Sequence, residues 1–184
     1  QGKLEGNLKS NQLRADEIHE GVNFLGEIAL RDGAIKTAGL QEEIKDIEGS
    51  FEIVDNSIQT KKLTAKAGNN EFEIAGSINN ALPYLSGYGG TLEINADLKS
   101  EKIFLEQLIG GEGSTGNSTT FHLPKKIGFE LEIDLKELEY KTFSASDVSG
   151  KAYYRNGLFT LNPFKMEVAS GNVSGNLRMG VVQY

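Results

Sequence analysis

Residues 46–78 constrain the fold more than any other stretch, because their pattern returns 101 residues later. In Asp46-Ile47-Glu48-Gly49-Ser50-Phe51-Glu52-Ile53, the positions Ile47, Gly49, Phe51 and Ile53 share one side of a period of two, and the polar residues share the other. That period describes a strand with one wet face. Asp55-Asn56-Ser57 supplies turn chemistry and residues 58–67 a second strand. Gly68-Asn69-Asn70 is a turn tolerant of positive φ, and Phe72, Ile74, Gly76 and Ile78 line one face of a third strand. The copy starts at Asp147, where Val148, Gly150, Ala152 and Tyr154 take the places of Ile47, Gly49, Phe51 and Ile53. Its first turn is Arg155-Asn156-Gly157, its second Ser170-Gly171-Asn172, and its third strand puts Gly175 in the place of Gly76. Shorter echoes occur at residues 24–30 and 4–8.

A duplicated three-strand meander predicts a sheet extended by repetition, each unit burying its apolar face against its neighbours. The expected fold is therefore mainly β: an elongated, curved antiparallel sheet, a groove or incomplete barrel, of repeated β-meanders with two short helical insertions. Composition agrees. Apolar residues make up 38% of the 184, lean for a compact two-layer globule and suited to a sheet with one face in water. Nineteen Lys and Arg against 26 Asp and Glu leave a net charge of −7 with no basic cluster, which argues against a nucleic-acid partner. The absence of Cys excludes a disulfide framework and a thiolate metal site. No apolar run approaches the ~18 residues of a membrane-spanning helix, and no signal peptide is present. A start at Gln1 rather than Met is read as a segment of something longer, with any membrane anchor outside it.

In chain order, residues 2–10 read as a strand and residues 11–20 as ambiguous between loop and short helix. Residues 21–30 read as a strand that reverses at Arg31-Asp32-Gly33, a hairpin signal. Pro83 breaks the alternation after the first unit, so Leu82, Tyr84 and Leu85 are expected on one helical turn that caps an end of the core. Residues 91–100 alternate again, residues 101–109 have helical spacing, and Gly110-Gly111 ends that helix. Residues 110–120 hold too little apolar area to order themselves. Ile127, Phe129, Leu131, Ile133 and Leu135 then form an unbroken apolar stripe opposite Glu130, Glu132 and Asp134. Leu138 and Tyr140 change parity, which predicts a bulge or bend near Lys136-Glu137. The reading gives ten to twelve strands in one domain: a first meander half with short helices over 1–110, a flexible Gly/Ser loop over 111–120, and a second half over 121–184.

Taken together, the order of these segments resembles the C-terminal region of the AsmA family of bacterial envelope proteins. The resemblance rests on residues 25–35, similar to a strand, turn and strand around "G-x-I…x-x-G", and on residues 44–50, similar to an "I-x-x-I-x-G" start. It continues in the glycine-ended strand of residues 72–80 followed by Leu82-Pro83-Tyr84-Leu85, and in residues 92–108 with their "S-x-x-x-x-L-x-x-L" tail. Leu123-Pro124-Lys125-Lys126-Ile127 resembles the "L-P-x-x-I" that restarts the sheet, and the likeness covers roughly residues 21–179. It implies a long, curved, groove-shaped sheet of a periplasmic protein anchored in the inner membrane. Its function would lie in outer-membrane biogenesis, with phospholipid held or transferred along an apolar groove.

On this reading the chain is not an enzyme and has no cofactor, no metal and no catalytic residue. Its partners are phospholipid acyl chains and other envelope proteins. The groove residues are Ile127, Phe129, Leu131, Ile133 and Leu135, followed by Ile47, Phe51, Ile53, Phe72 and Ile74. The plainer reading is that the same residues make a closed core. Features that invite sharper chemistry have ordinary explanations. His19 lies among carboxylates without a second His at ligand spacing, and His122 is remote. No nucleophile elbow surrounds a Ser. Glu130, Glu132 and Asp134 form a wet strand face, and the Gly-rich segment 110–116 lacks the Lys of a phosphate loop. The alternative class is a β-rich cell-surface domain binding polysaccharide or protein, which would need an exposed aromatic platform built from Tyr84, Tyr88, Tyr153 and Tyr154.

Overall fold

A computed structural model describes residues 3–8, 22–36, 41–55, 57–85, 90–109, 126–169 and 171–180. Ten strands follow one another in these residues: β1 (Lys3–Leu8), β2 (Val22–Ile35), β3 (Ile44–Val54), β4 (Ser57–Ala67), β5 (Asn70–Asn79), β6 (Leu92–Phe104), β7 (Ile127–Tyr140), β8 (Phe143–Arg155), β9 (Leu158–Val168) and β10 (Gly171–Gly180). Each pairs with the next, so a single curved sheet runs in chain order and does not close on itself. Two one-turn helices interrupt it, α1 (Ala81–Leu85) after β5 and α2 (Leu105–Ile109) after β6.

The duplication extends to individual backbone angles. Positive φ recurs at a spacing of 101 residues in three places: Asp46 (50°) with Asp147 (46°), Asp55 (53°) with Asn156 (53°), and Gly68 (60°) with Ala169 (54°). Asp46 and Asp147 are bulges, since the β3–β4 ladder slips between Lys45 and Glu48 and the β8–β9 ladder between Ser146 and Ser149. The other two pairs open hairpin turns, closed by Val54 opposite Ser57, Arg155 opposite Leu158, Ala67 opposite Asn70, and Val168 opposite Gly171. Asn156 and Gly157 both have positive φ, the turn geometry that matches the twist of the flanking strands. One detail of the sequence alignment is corrected by the ladders. Leu63 faces Ile74 as Phe164 faces Gly175, and Thr60 faces Gly76 as Leu161 faces Leu177. Gly175 therefore stands in the place of Ile74, and the counterpart of Gly76 is Leu177.

Three further expectations are revised. Arg31-Asp32-Gly33 does not reverse the chain: Leu30 pairs with Gly49 and Gly33 with Ile47, both on β3, and Asp32 (φ 52°) takes up a bulge within one continuous strand. The helix expected over residues 101–109 is shorter. Residues 101–104 remain extended because β6 and β7 pair in parallel as far as Phe104 opposite Glu139, and that parallel pair is an exception in an otherwise antiparallel sheet. Near Lys136-Glu137 the parity changes as expected but without a bulge, since the β7 ladders run without slippage on both sides. The spacing of the less exposed residues opens from two to three in three neighbouring strands at one level, at Ser100 and Ile103, Leu135 and Leu138, and Ala145 and Val148. One extra residue per strand shifts parity together, so the β6–β7 and β7–β8 ladders need not slip, and the irregularity is taken up by the Asp147 bulge against β9. The loop of residues 111–120, the segment 11–20, His19, His122, Tyr88 and residues 123–125 lie outside the described residues.

Dense packing is confined to the two ends of the strands. At one end Ile47, Ala65, Ala67, Ile103, Leu135 and Ala145 are all below 8% exposed. This corner is fastened by Asn70, which is fully buried: its side-chain amide donates to the Ala67 carbonyl at 2.8 Å, and its Oδ1 accepts from the Phe104 N–H at 2.6 Å. Ser100 Oγ donates to the Glu71 carbonyl at 2.6 Å, and the Asn69 N–H donates to Gln107 Oε1 at 2.8 Å, tying α2 to the β4–β5 turn. At the other end Ala81, Ala152 and Tyr154 are buried, and Tyr154 stacks on Phe129 with ring centroids 5.5 Å apart.

Candidate functional site

Strand alternation sends the apolar residues of every unit to the same face, and the ladders align them into rows across the strands. One row runs Ile53, Ile58, Ile78, Ile94, Phe129, Tyr154, Phe159 and Met179, each directly opposite the next from β3 to β10. A second runs Leu30, Gly49, Leu63, Ile74, Leu98, Ile133, Gly150, Phe164 and Gly175 from β2 to β10. Between them lies a third row, Thr60, Gly76, Ala96, Leu131, Ala152, Leu161 and Leu177. Gly76 has no room for a side chain: a Cβ there would lie 2.2 Å from the Asn95 carbonyl oxygen.

All ten residues expected to form a groove fall on this face. They separate by burial. Ile127, Phe129, Leu131, Ile133, Phe51, Ile53, Phe72 and Ile74 are half-buried, whereas Ile47 (5%) and Leu135 (7%) belong to the packed corner and are not available to a ligand. Every described strand belongs to the one sheet, so no second sheet of described residues covers the face. Toward its margins, apolar side chains stand well out into solvent, as Ile28 (41%), Leu177 (48%) and Met179 (49%) do. Ile58, Leu63, Ile94, Leu98, Phe159 and Phe164 complete the rows and are absent from the groove set expected from sequence, although Ile94 and Leu98 stand on the alternating side of residues 91–100. Alternation marks them as inward-facing, but only the cross-strand register joins them to the others.

The opposite face is charged and laced with cross-strand ion pairs. Lys62 reaches Glu73 at 2.6 Å, Lys66 reaches Glu71 at 3.1 Å, Arg155 reaches Glu93 at 2.9 Å, and Lys102 sits between Glu139 (2.6 Å) and Glu137 (3.1 Å). The hydrogen bond from Lys62 holds the Glu73 carboxyl below the usual carboxylate range, and that to Glu71 holds the Lys66 ammonium above its own. Glu132, from the trio Glu130, Glu132 and Asp134, pairs with Lys151 at 3.5 Å. A shallow depression on this face is lined by Glu52, Lys61, Asp97 and Glu130 together with the small residues Ala75 and Gly76. Among the described residues no group of three or more His, Cys, Asp or Glu is placed to hold a metal ion. Tyr153 and Tyr154 are adjacent in β8 and so point to opposite faces, which prevents them from forming one stacking platform.

Compared with models of known protein families, with curated proteins and with solved structures, the chain matches none.

Proposed function

We propose that this chain is a non-enzymatic, AsmA-like domain of the bacterial periplasm that holds or transfers phospholipid by its acyl chains, in the service of outer-membrane assembly. In the full-length protein it would be tied to the inner membrane by a segment outside this sequence. The observation that carries the reading is the set of apolar rows crossing β2 to β10, most of their side chains only half-buried although Ala152 and Tyr154 are buried, and without a covering layer of described secondary structure. Apolar area left in water is costly, and an acyl chain laid against it relieves both surfaces, by about 0.8 kcal/mol for each methylene buried. Such binding is non-directional and needs no polar chemistry on the face that does it. The rows cross the strands, so a bound chain would lie along the length of the sheet.

The test is native mass spectrometry of the purified chain without detergent, together with extraction and identification of any bound lipid. Co-purifying phospholipid that is lost in Leu131→Glu, with the circular dichroism spectrum unchanged, is the expected result. A bare protein that takes up no added phospholipid, and that Leu131→Glu unfolds, would show that the apolar rows are a closed core and would end the lipid reading. The polysaccharide-binding alternative has no comparable observation in its favour.

A further inference from the structure

Asn156-Gly157 is the single Asn-Gly pair of the sequence, and it makes the whole of the β8–β9 turn, between Arg155 and Leu158 at the end of the ladder. Both residues have positive φ, 53° and 77°. The Asn156 side chain is exposed and makes no hydrogen bond to another described residue, and no main-chain hydrogen bond holds the Gly157 N–H. Glycine has no Cβ to shield its nitrogen. Every other Asn of the sequence is followed by a residue whose side chain crowds that nitrogen. A free side-chain amide and an unhindered main-chain nitrogen therefore adjoin at one place in the chain.

We infer that Asn156 is a site of spontaneous covalent modification, deamidation through a cyclic imide. The Gly157 nitrogen attacks Asn156 Cγ, the bond from Cγ to Nδ2 breaks, and ammonia leaves with the proton given up by the Gly157 nitrogen. Water then opens the imide at one of its two carbonyls. Opening between Cγ and the nitrogen gives Asp. Opening between the main-chain carbonyl carbon and the nitrogen gives isoaspartate, whose main chain runs through Cβ and is one atom longer. The first unit separates the two products. Asp55 stands at the equivalent position with the same φ of 53°, so Asp fits this turn. Isoaspartate does not, because a two-residue turn closed by Arg155 opposite Leu158 has no slack for a further atom. Next to that pair Tyr154 faces Phe159, and Phe129 packs on both, with centroids 5.5 and 6.3 Å apart. The conversion loosens this aromatic end of the apolar rows, whatever that face binds.

Peptide mapping by mass spectrometry, on the folded chain warmed at mildly alkaline pH for increasing times, should find amide replaced by acid at residue 156 before any other Asn. The product should be a mixture of Asp and isoaspartate, the latter identified by fragmentation and by methylation with an isoaspartyl methyltransferase. Asn156→Gln, which would need a larger ring, should abolish the change. Asn156→Asp should melt with the fresh native chain, whereas the warmed native chain should gain a lower-melting population in proportion to its isoaspartate. An intact amide at residue 156, over a time in which the urea-unfolded chain converts there, would overturn the proposal, because the turn would then protect the pair. So would another Asn that converts first.

Discussion

Replacing Asn70 by Ala tests how the packed corner is held. The Asn70 side chain is fully buried and makes two hydrogen bonds to main-chain groups, donating to Ala67 O at 2.8 Å and accepting from Phe104 N at 2.6 Å. Truncation removes one hydrogen bond from each of those main-chain groups, and a buried group left short of a partner costs about 1–3 kcal/mol. A loss of about 3 kcal/mol is expected, a large part of the roughly 5–15 kcal/mol that stabilises a domain. Urea unfolding followed by circular dichroism measures it: with an m-value of about 2 kcal/mol per molar, the midpoint should fall by about 1.5 M. Hydrogen exchange gives a local readout, because the Phe104 amide should lose protection even under native conditions. Lys61→Ala serves as a control. Lys61 pairs with Glu52 at 3.4 Å while 90% exposed, and such a pair contributes at most about 1 kcal/mol. A midpoint shift for Asn70→Ala no larger than that of the control would refute the claim that this residue fastens β4, β5 and β6 together.

Ala169 has the left-handed conformation that Gly68 has in the first unit, so Ala169→Gly should raise stability by about 0.5 kcal/mol, the relief of Cβ strain less the added chain entropy. Gly68→Ala should lower it, because an added Cβ meets Gln107 Oε1 at 2.6 Å; thermal melts of the two variants should move in opposite directions. Gly76→Ala should cost about 3 kcal/mol, since the new Cβ would lie 2.7 Å from the Ala96 Cα and the β5–β6 ladder must part, whereas Leu177→Ala at the equivalent place on β10 should cost far less in the same melt. The Lys62 hydrogen bond lowers the Glu73 pKa, so its contribution is present above the unfolded carboxylate pKa and is lost as pH falls through the folded one. The melting-temperature gap between the native chain and Glu73→Gln should therefore be small but steady near neutrality, close in acid, and narrow in high salt.

The repeat was legible because alternation and turn residues are local properties of the chain. Asp46 and Asp147, Asp55 and Asn156, and Gly68 and Ala169 occupy matching backbone conformations at one fixed spacing, and within each unit the meander order follows from its short turns. What the sequence left out depends on partners distant in the chain. The Arg31-Asp32-Gly33 signal is that of a hairpin, yet Gly33 pairs onward with Ile47 of β3, and the strand continues. Residues 101–104 have helical spacing, yet the parallel ladder with β7 and the hydrogen bond from Phe104 N to Asn70 hold them extended. Asn70 itself reads as one more turn residue. Its part in fastening three strands arises only when Phe104 arrives from thirty-four positions away. The apolar face was half visible: alternation sorts residues to a face, but it does not distinguish Leu131, which is half-buried, from Leu135, which is buried at the corner.

The central claim is that the apolar rows meet acyl chains rather than one another across a closed core. Photocrosslinking in bacterial cells examines this most directly, with a photoreactive amino acid placed in turn at Leu131 and Leu98 on the apolar face and at Glu130 and Asp97 on the charged one. Phospholipid adducts at the first two positions and none at the last two are the predicted result. Equal labelling of both faces, or no lipid adduct at Leu131 and Leu98 in folded protein, would contradict the account.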